Sequence, residues 1–139
     1  MYRIRDPKAS LHFYTEVLGM KLLDEYHNED AKFSLFFVGY ESDHTKGISR
    51  FSREGVLELT HNHGTESDPE FKGYSTGNSD GQGYGHIAVI VDDLEAAVKR
   101  FDDYKVKFIK RPEDGRMKHI AFIVDPDGYR VEILASHDI

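Results

Sequence analysis

The chain repeats itself. Residues 2–23 read YRIRDPKASLHFYTEVLGMKLL and residues 88–109 read AVIVDDLEAAVKRFDDYKVKFI. Both stretches run strand, Asp, helix, strand, at an offset of 86 that matches Asp6 with Asp92. An aspartate at that point can cap free backbone N–H groups at a helix start, and Pro7 suits a first helical position because its φ is already fixed. Leu94, Ala97, Val98 and Phe101 follow the i, i+3, i+4, i+7 spacing of a buried helix face. Leu11, Tyr14 and Leu18 do the same in the first half, with Phe13 and Val17 beside them, and Gly19 ends that helix. Three β-type segments follow each helix: about 21–27, 32–40 and 55–60, then 106–110, 118–124 and 129–134. With leading strands at 1–5 and 85–91, each half reads β-α-β-β-β. The fold class is therefore α+β: two repeats, about 1–62 and 85–139, joined by a Gly/Ser/Asp/Asn-rich loop into one domain. Segment 41–54 also reads as loop, and Asp125-Pro126-Asp127-Gly128 reads as a turn between the last two strands.

Strand alternation sorts the side chains by face. In the last segment of the first repeat, Leu57 and Leu59 oppose Glu58 and Thr60. In 85–91, Ile87, Val89 and Val91 oppose His86, Ala88 and Ile90. In 129–134, Tyr129, Val131 and Ile133 oppose Arg130, Glu132 and Leu134. The face that is not suited to a helix carries Glu58, His86 and Glu132. Two readings stand at this point: polar residues on a sheet face open to water, or oxygen and imidazole ligands for a metal. The chain has no cysteine, so disulfides and thiolate sites are excluded and any metal must sit on His, carboxylate or amide donors. His61-x-His63 is a competing metal candidate, read instead as exposed histidines at a loop entrance. His12, His27, His44, His119 and His137 read as surface or packing residues.

Nine Phe and eight Tyr supply core material for 139 residues. A formal charge of −7 argues against general nucleic-acid binding, because nothing would offset phosphate repulsion. No apolar run approaches the roughly 20 residues of a membrane span. The start, Met-Tyr-Arg-Ile-Arg, is not a secretory signal, so the default expectation is a cytoplasmic protein.

Six stretches carry a resemblance: DPKASLHFYTEVLGMKLL, KFSLFFVGYE, GVLELTHNHGTE, GNSDGQGYGHIAV, RPEDGRMKHIAF and DPDGYRVEIL. They run almost end to end and resemble the glyoxalase I (lactoylglutathione lyase) family of the vicinal oxygen chelate superfamily. The resemblance implies paired β-α-β-β-β units forming a curved sheet around a metal, with sites shared between the two chains of a homodimer. It implies Glu58 from one chain and His86 and Glu132 from the other as metal ligands. The fourth family ligand, a first-strand Gln or His, aligns two residues before Met1, on the face of Arg3. Arg3 and Asn62 match residues that bind the ends of glutathione, and Arg suits a carboxylate because it can grip it with two hydrogen bonds. Lys110, Gly115 and Met117 fall in the family's mobile loop over the substrate. A further family Arg falls on Gln82, and a common aromatic position holds His63.

The implied reaction converts the hemithioacetal of methylglyoxal and glutathione to S-lactoylglutathione. A divalent cation would stabilise the enediolate formed when the C1 proton leaves, and a carboxylate must take that proton and return it at C2. Glu132 is the first choice, and Glu58 plays the mirrored role for the opposite configuration. The longer loops, 41–54 and 63–84, resemble the Zn-associated form rather than the compact Ni-preferring one. Other readings on the same fold are a non-catalytic metal- or ligand-binding relative, a methylmalonyl-CoA epimerase and an extradiol dioxygenase. One His and two Glu suit iron oxygen chemistry poorly, and the LELTHN and GRMK segments favour the glyoxalase.

Overall fold

The computed structural model describes residues 1–79 and 81–135, so His137 lies outside the described residues. Two compact units divide the chain, Met1–Tyr74 and Ser75–Ile139. The first runs β1 (Tyr2–Ile4), α1 (Pro7–Leu11) continuing into a π-helical turn (His12–Val17), β2 (Lys21–Asn28), β3 (Phe33–Gly39) and β4 (Leu57–Asn62). The second runs β5 (Ile87–Val91), α2 (Leu94–Asp103), β6 (Phe108–Lys110), β7 (Ile120–Val124) and β8 (Arg130–Ala135). The expected β-α-β-β-β order is thus present twice. Each unit forms its own four-stranded sheet, with strand orders β1-β4-β3-β2 and β5-β8-β7-β6. In both, the first strand pairs parallel to the last and the other contacts are antiparallel. Among the described residues, no helix is long and apolar enough to cross a membrane.

The alternation holds in β1, β5 and β8, but not in β4, where Leu59, Thr60 and His61 are buried in a row. In β8, Val131 and Ile133 are fully buried, while Arg130, Glu132 and Leu134 are half-buried on the other face. In β5, Val89 is buried, whereas His86, Ala88 and Ile90 are exposed. Phe101 and Ala97 of α2 are buried, with Leu94 and Val98 half-buried beside them. The first helix buries Phe13, Tyr14, Val17 and Leu18. Leu11 is only half-buried and Ser10 is inside instead. The cause is the π turn: Leu18 N–H donates to the Phe13 carbonyl at 3.0 Å, five residues back, and each added residue per turn rotates the buried stripe. Gly19 ends the helix in the left-handed region at φ 76°, as expected of a C-terminal glycine. The last hairpin turns on Gly128 (φ 92°), and the buried Asp125 accepts from Asp127 N at 3.0 Å and Tyr129 N at 2.9 Å.

One detail of the repeat is corrected. Asp6 caps α1 by accepting from Lys8 N at 2.9 Å, but the cap of α2 is Asp93, which accepts from Ala96 N at 2.9 Å, and not Asp92. The structural offset is therefore one residue longer than the sequence alignment placed it. The longer offset matches buried Tyr2 and Ile4 with Val89 and Val91 on inner faces, whereas the shorter one would match buried Tyr2 with exposed Ala88. Asp93→Ala should cost about 1 kcal/mol of stability, and Asp92→Ala less than about 0.5 kcal/mol. Denaturant unfolding followed by circular dichroism checks this, and equal losses would contradict the assignment.

Candidate active site

The site residues divide between the two units. In the first, β4 carries Glu58, Thr60 and Asn62 on one face, and β1 adds Arg3, which pairs in register with Thr60. The β3 residues on that face are Phe37 opposite Glu58, Leu35 opposite Thr60 and Phe33 opposite Asn62. Glu58 is half-buried, and its Oε1 accepts from the Thr60 hydroxyl at 3.1 Å. Asn62 Nδ2 donates to the Tyr74 hydroxyl at 3.2 Å. Arg50, in a 3-10 turn (Arg50–Ser52), lies 4.3 Å over the Phe37 ring and pairs with Asp24.

In the second unit, β8 supplies Glu132, and His86 stands immediately before β5. Their side chains meet, with His86 Nε2 3.2 Å from Glu132 Oε2. Phe122, the β7 register partner of Glu132, sets its ring edge-on to His86 with centroids 5.0 Å apart. The ring contact therefore spans β8, from the residue before β5 to β7. Two donors each about 2.1 Å from a shared cation stand roughly 3 Å apart. The His86–Glu132 pair therefore fits a common divalent ion, and an imidazole with a carboxylate suits zinc or nickel. Among the described residues of a single chain, no three metal-ligating side chains come together.

The registers relate the half-sites. His86 lies two residues before Ala88, which pairs with Glu132. Counting back along β1 from Arg3, which pairs with Thr60, puts Met1 opposite Glu58. Met1 thus stands toward Glu58 as Ala88 stands toward Glu132.

Lys110, Gly115 and Met117 lie on or beside one loop between β6 and β7. The Lys110 ammonium donates to the carbonyls of Met117 (2.6 Å), Ile120 (3.0 Å) and Arg111 (3.1 Å). All three of its N–H bonds are thereby directed at the loop backbone. Gly115 takes φ 66° and Met117 is half exposed. Gln82 sits at a positive φ of 33° ahead of His86.

The histidine pair at the end of β4 differs from the expectation. His61 is buried, not exposed, because β4 extends to Asn62 and puts His61 on the inner face opposite Ser34. Its Nε2 lies 2.7 Å from Glu66 Oε2. His63 Nε2 and His27 Nδ1 each lie 2.8 Å from the Ser34 hydroxyl, so His27 too has a partner across the strand pair. His61 and His63 thereby tie the loop after β4 to the sheet. The Glu66 carboxyl is held below its usual 4.5 by its own backbone N–H first, then by His61. Its contribution to stability is therefore complete above that value and disappears as pH falls through the lower, folded one. The stability difference between parent and Glu66→Gln should shrink from pH 6 to pH 3, read by urea unfolding; a constant difference would contradict the linkage.

The sequence model of the Glyoxalase/Bleomycin resistance protein/Dioxygenase superfamily matches residues 1–133. A lactoylglutathione lyase of Pseudomonas putida is 50% identical over 96% of this chain and 81% of its own length. A glyoxalase I of Saccharomyces cerevisiae is 50% identical over 96% of this chain, which spans 41% of the yeast protein. Among solved structures, a trypanothione-dependent glyoxalase I of Leishmania major superposes with a TM-score of 0.75 at 34% identity, over 99% of this chain and 84% of that one. Together with the doubled β-α-β-β-β fold, these similarities establish that the chain belongs to the glyoxalase I (lactoylglutathione lyase) family of the vicinal oxygen chelate superfamily.

Proposed function

We infer that the chain is a lactoylglutathione lyase that converts the hemithioacetal of methylglyoxal and glutathione to S-lactoylglutathione. The observation that carries this reading is the His86–Glu132 pair, an imidazole and a carboxylate 3.2 Å apart on the open sheet face, in a chain half identical to a named lyase. The two repeats work as one domain, and two copies of the chain complete each site, Glu58 of one meeting His86 and Glu132 of the other. Glu58, His86 and Glu132 would hold a divalent cation, zinc by preference over nickel, which would supply positive charge against the substrate oxygens when bound. Glu132 takes the C1 proton and returns it to C2, while Glu58 serves the opposite configuration. Arg3 and Asn62 hold the ends of glutathione, and the loop of Lys110, Gly115 and Met117 lies over the substrate. Because Lys110 already donates to three carbonyls, a substrate carboxylate has to replace at least one of them. The cytoplasm is the compartment this chemistry calls for, because the adduct forms only from reduced glutathione.

Incubating the metal-reconstituted chain with hemithioacetal should produce thioester absorbance, with no turnover of a CoA thioester. Turnover of the CoA ester instead would favour an epimerase, and stoichiometric metal with neither activity would favour a binding role. Sedimentation at working concentration should give a dimer; a fully active monomer would contradict the shared site.

A further inference from the structure

The two halves of the site are built alike but not equipped alike. Glu58 and Glu132 occupy corresponding places on the last strand of each unit. Two residues on, on the same face, the first unit has Thr60 and the second has Leu134. The Thr60 hydroxyl lies 3.1 Å from Glu58 Oε1. An ionised carboxylate has no proton to give, so Thr60 is the donor. Thr60 is only 8% exposed, and a valine would fill its place with equal strand preference. Packing therefore does not require the hydroxyl, and its direction toward Glu58 does. Leu134 has no donor to offer Glu132, whose neighbour is the His86 ring.

We propose that Thr60 is a positioning residue: by occupying Oε1, it fixes the Glu58 carboxylate in one rotamer with Oε2 left to hold the cation. The first half-site is then a rigid ligand. In the second, Glu132 Oε2 has the His86 ring 3.2 Å away, a partner that is lost once Nε2 holds the cation, and Leu134 offers no hydroxyl to replace it, so Glu132 can move between ligand and proton carrier. The division of labour between two repeat-related carboxylates is set by one hydroxyl, and the inference rests on the lyase reading above. Hydrogen bonds from a second layer of residues commonly contribute about 10- to 100-fold in metal affinity.

The test is chelator competition for Zn2+ on the full chain, together with the visible spectrum of its Co2+ form. Thr60→Val should weaken Zn2+ binding at least about 10-fold and alter the Co2+ absorption, while Thr60→Ser restores both toward the parent. Parent-like affinity and spectrum in Thr60→Val would overturn the proposal. Equal weakening in Thr60→Val and Thr60→Ser would also overturn it, since the role would then be packing. A parent chain that binds no metal would instead overturn the lyase reading, so the two failures are distinguishable.

Discussion

Glu132→Gln should lower kcat for the hemithioacetal by about two to four orders of magnitude, the usual contribution of a positioned general base, while leaving the fold intact. Gln has the shape of Glu and an amide oxygen that can still face His86, so the local packing survives. Only the charge and the capacity to carry a proton are lost. Glu132 is 22% exposed and its contact with His86 is an open one; such pairs add at most about 1 kcal/mol to stability. The unfolding midpoint should therefore barely move. Weaker metal binding could imitate loss of the base, so kcat is measured at saturating metal, with content checked on the same sample. Glu58→Gln under the same conditions should lose less, because Glu132 is the principal proton carrier. Glu132→Gln retaining activity within tenfold of the parent would remove Glu132 from that role. A larger loss in Glu58→Gln would exchange the two.

Much of this was legible in the residues. Period-2 alternation in three short apolar strands puts Glu58, His86 and Glu132 opposite the apolar positions, because a strand has only two faces; burial follows that pattern in β5 and β8, whereas in β4 Thr60 is buried along with Leu59 and His61. The repeat revealed the element order, since amphipathic spacing and capping residues are local properties. What escaped were features that depend on register or on one inserted residue. Asp92 and Asp93 are adjacent and identical in chemistry, and only the strand's last paired residue, Val91, decides which becomes the cap. The π turn in the first helix carries no residue signature, yet it exchanges Leu11 for Ser10 in the interior. A histidine beside a Gly-rich loop is usually exposed, and His61 is buried instead. The strand ran further than its hydrophobic residues did, and Glu66, five residues on, turned back to meet the ring at 2.7 Å. Nothing in the spacing of Thr60 tells whether its hydroxyl faces a carboxylate or water.

Ile133→Ala should do the reverse of Glu132→Gln at the very next residue. Ile133 is fully buried and lies in register between Val89 of β5 and Ala121 of β7, so truncation leaves a cavity among strands that cannot close without breaking their ladder. The expected loss is about 2–5 kcal/mol, a large fraction of the total for a chain of this size. Denaturant unfolding followed by circular dichroism measures it. Because Ile133 points away from His86 and Glu132, the fraction that remains folded should turn over hemithioacetal within a fewfold of the parent rate. A loss below about 1 kcal/mol would mean that the inner face of β8 is less tightly packed than its burial indicates. A collapse of kcat in the folded fraction would mean that the two faces of the strand are coupled, the core holding the carboxylate in place as well as holding the fold together. If neither occurs, strand alternation has separated the two tasks: one side of β8 carries the stability and the other, one residue away, carries the chemistry.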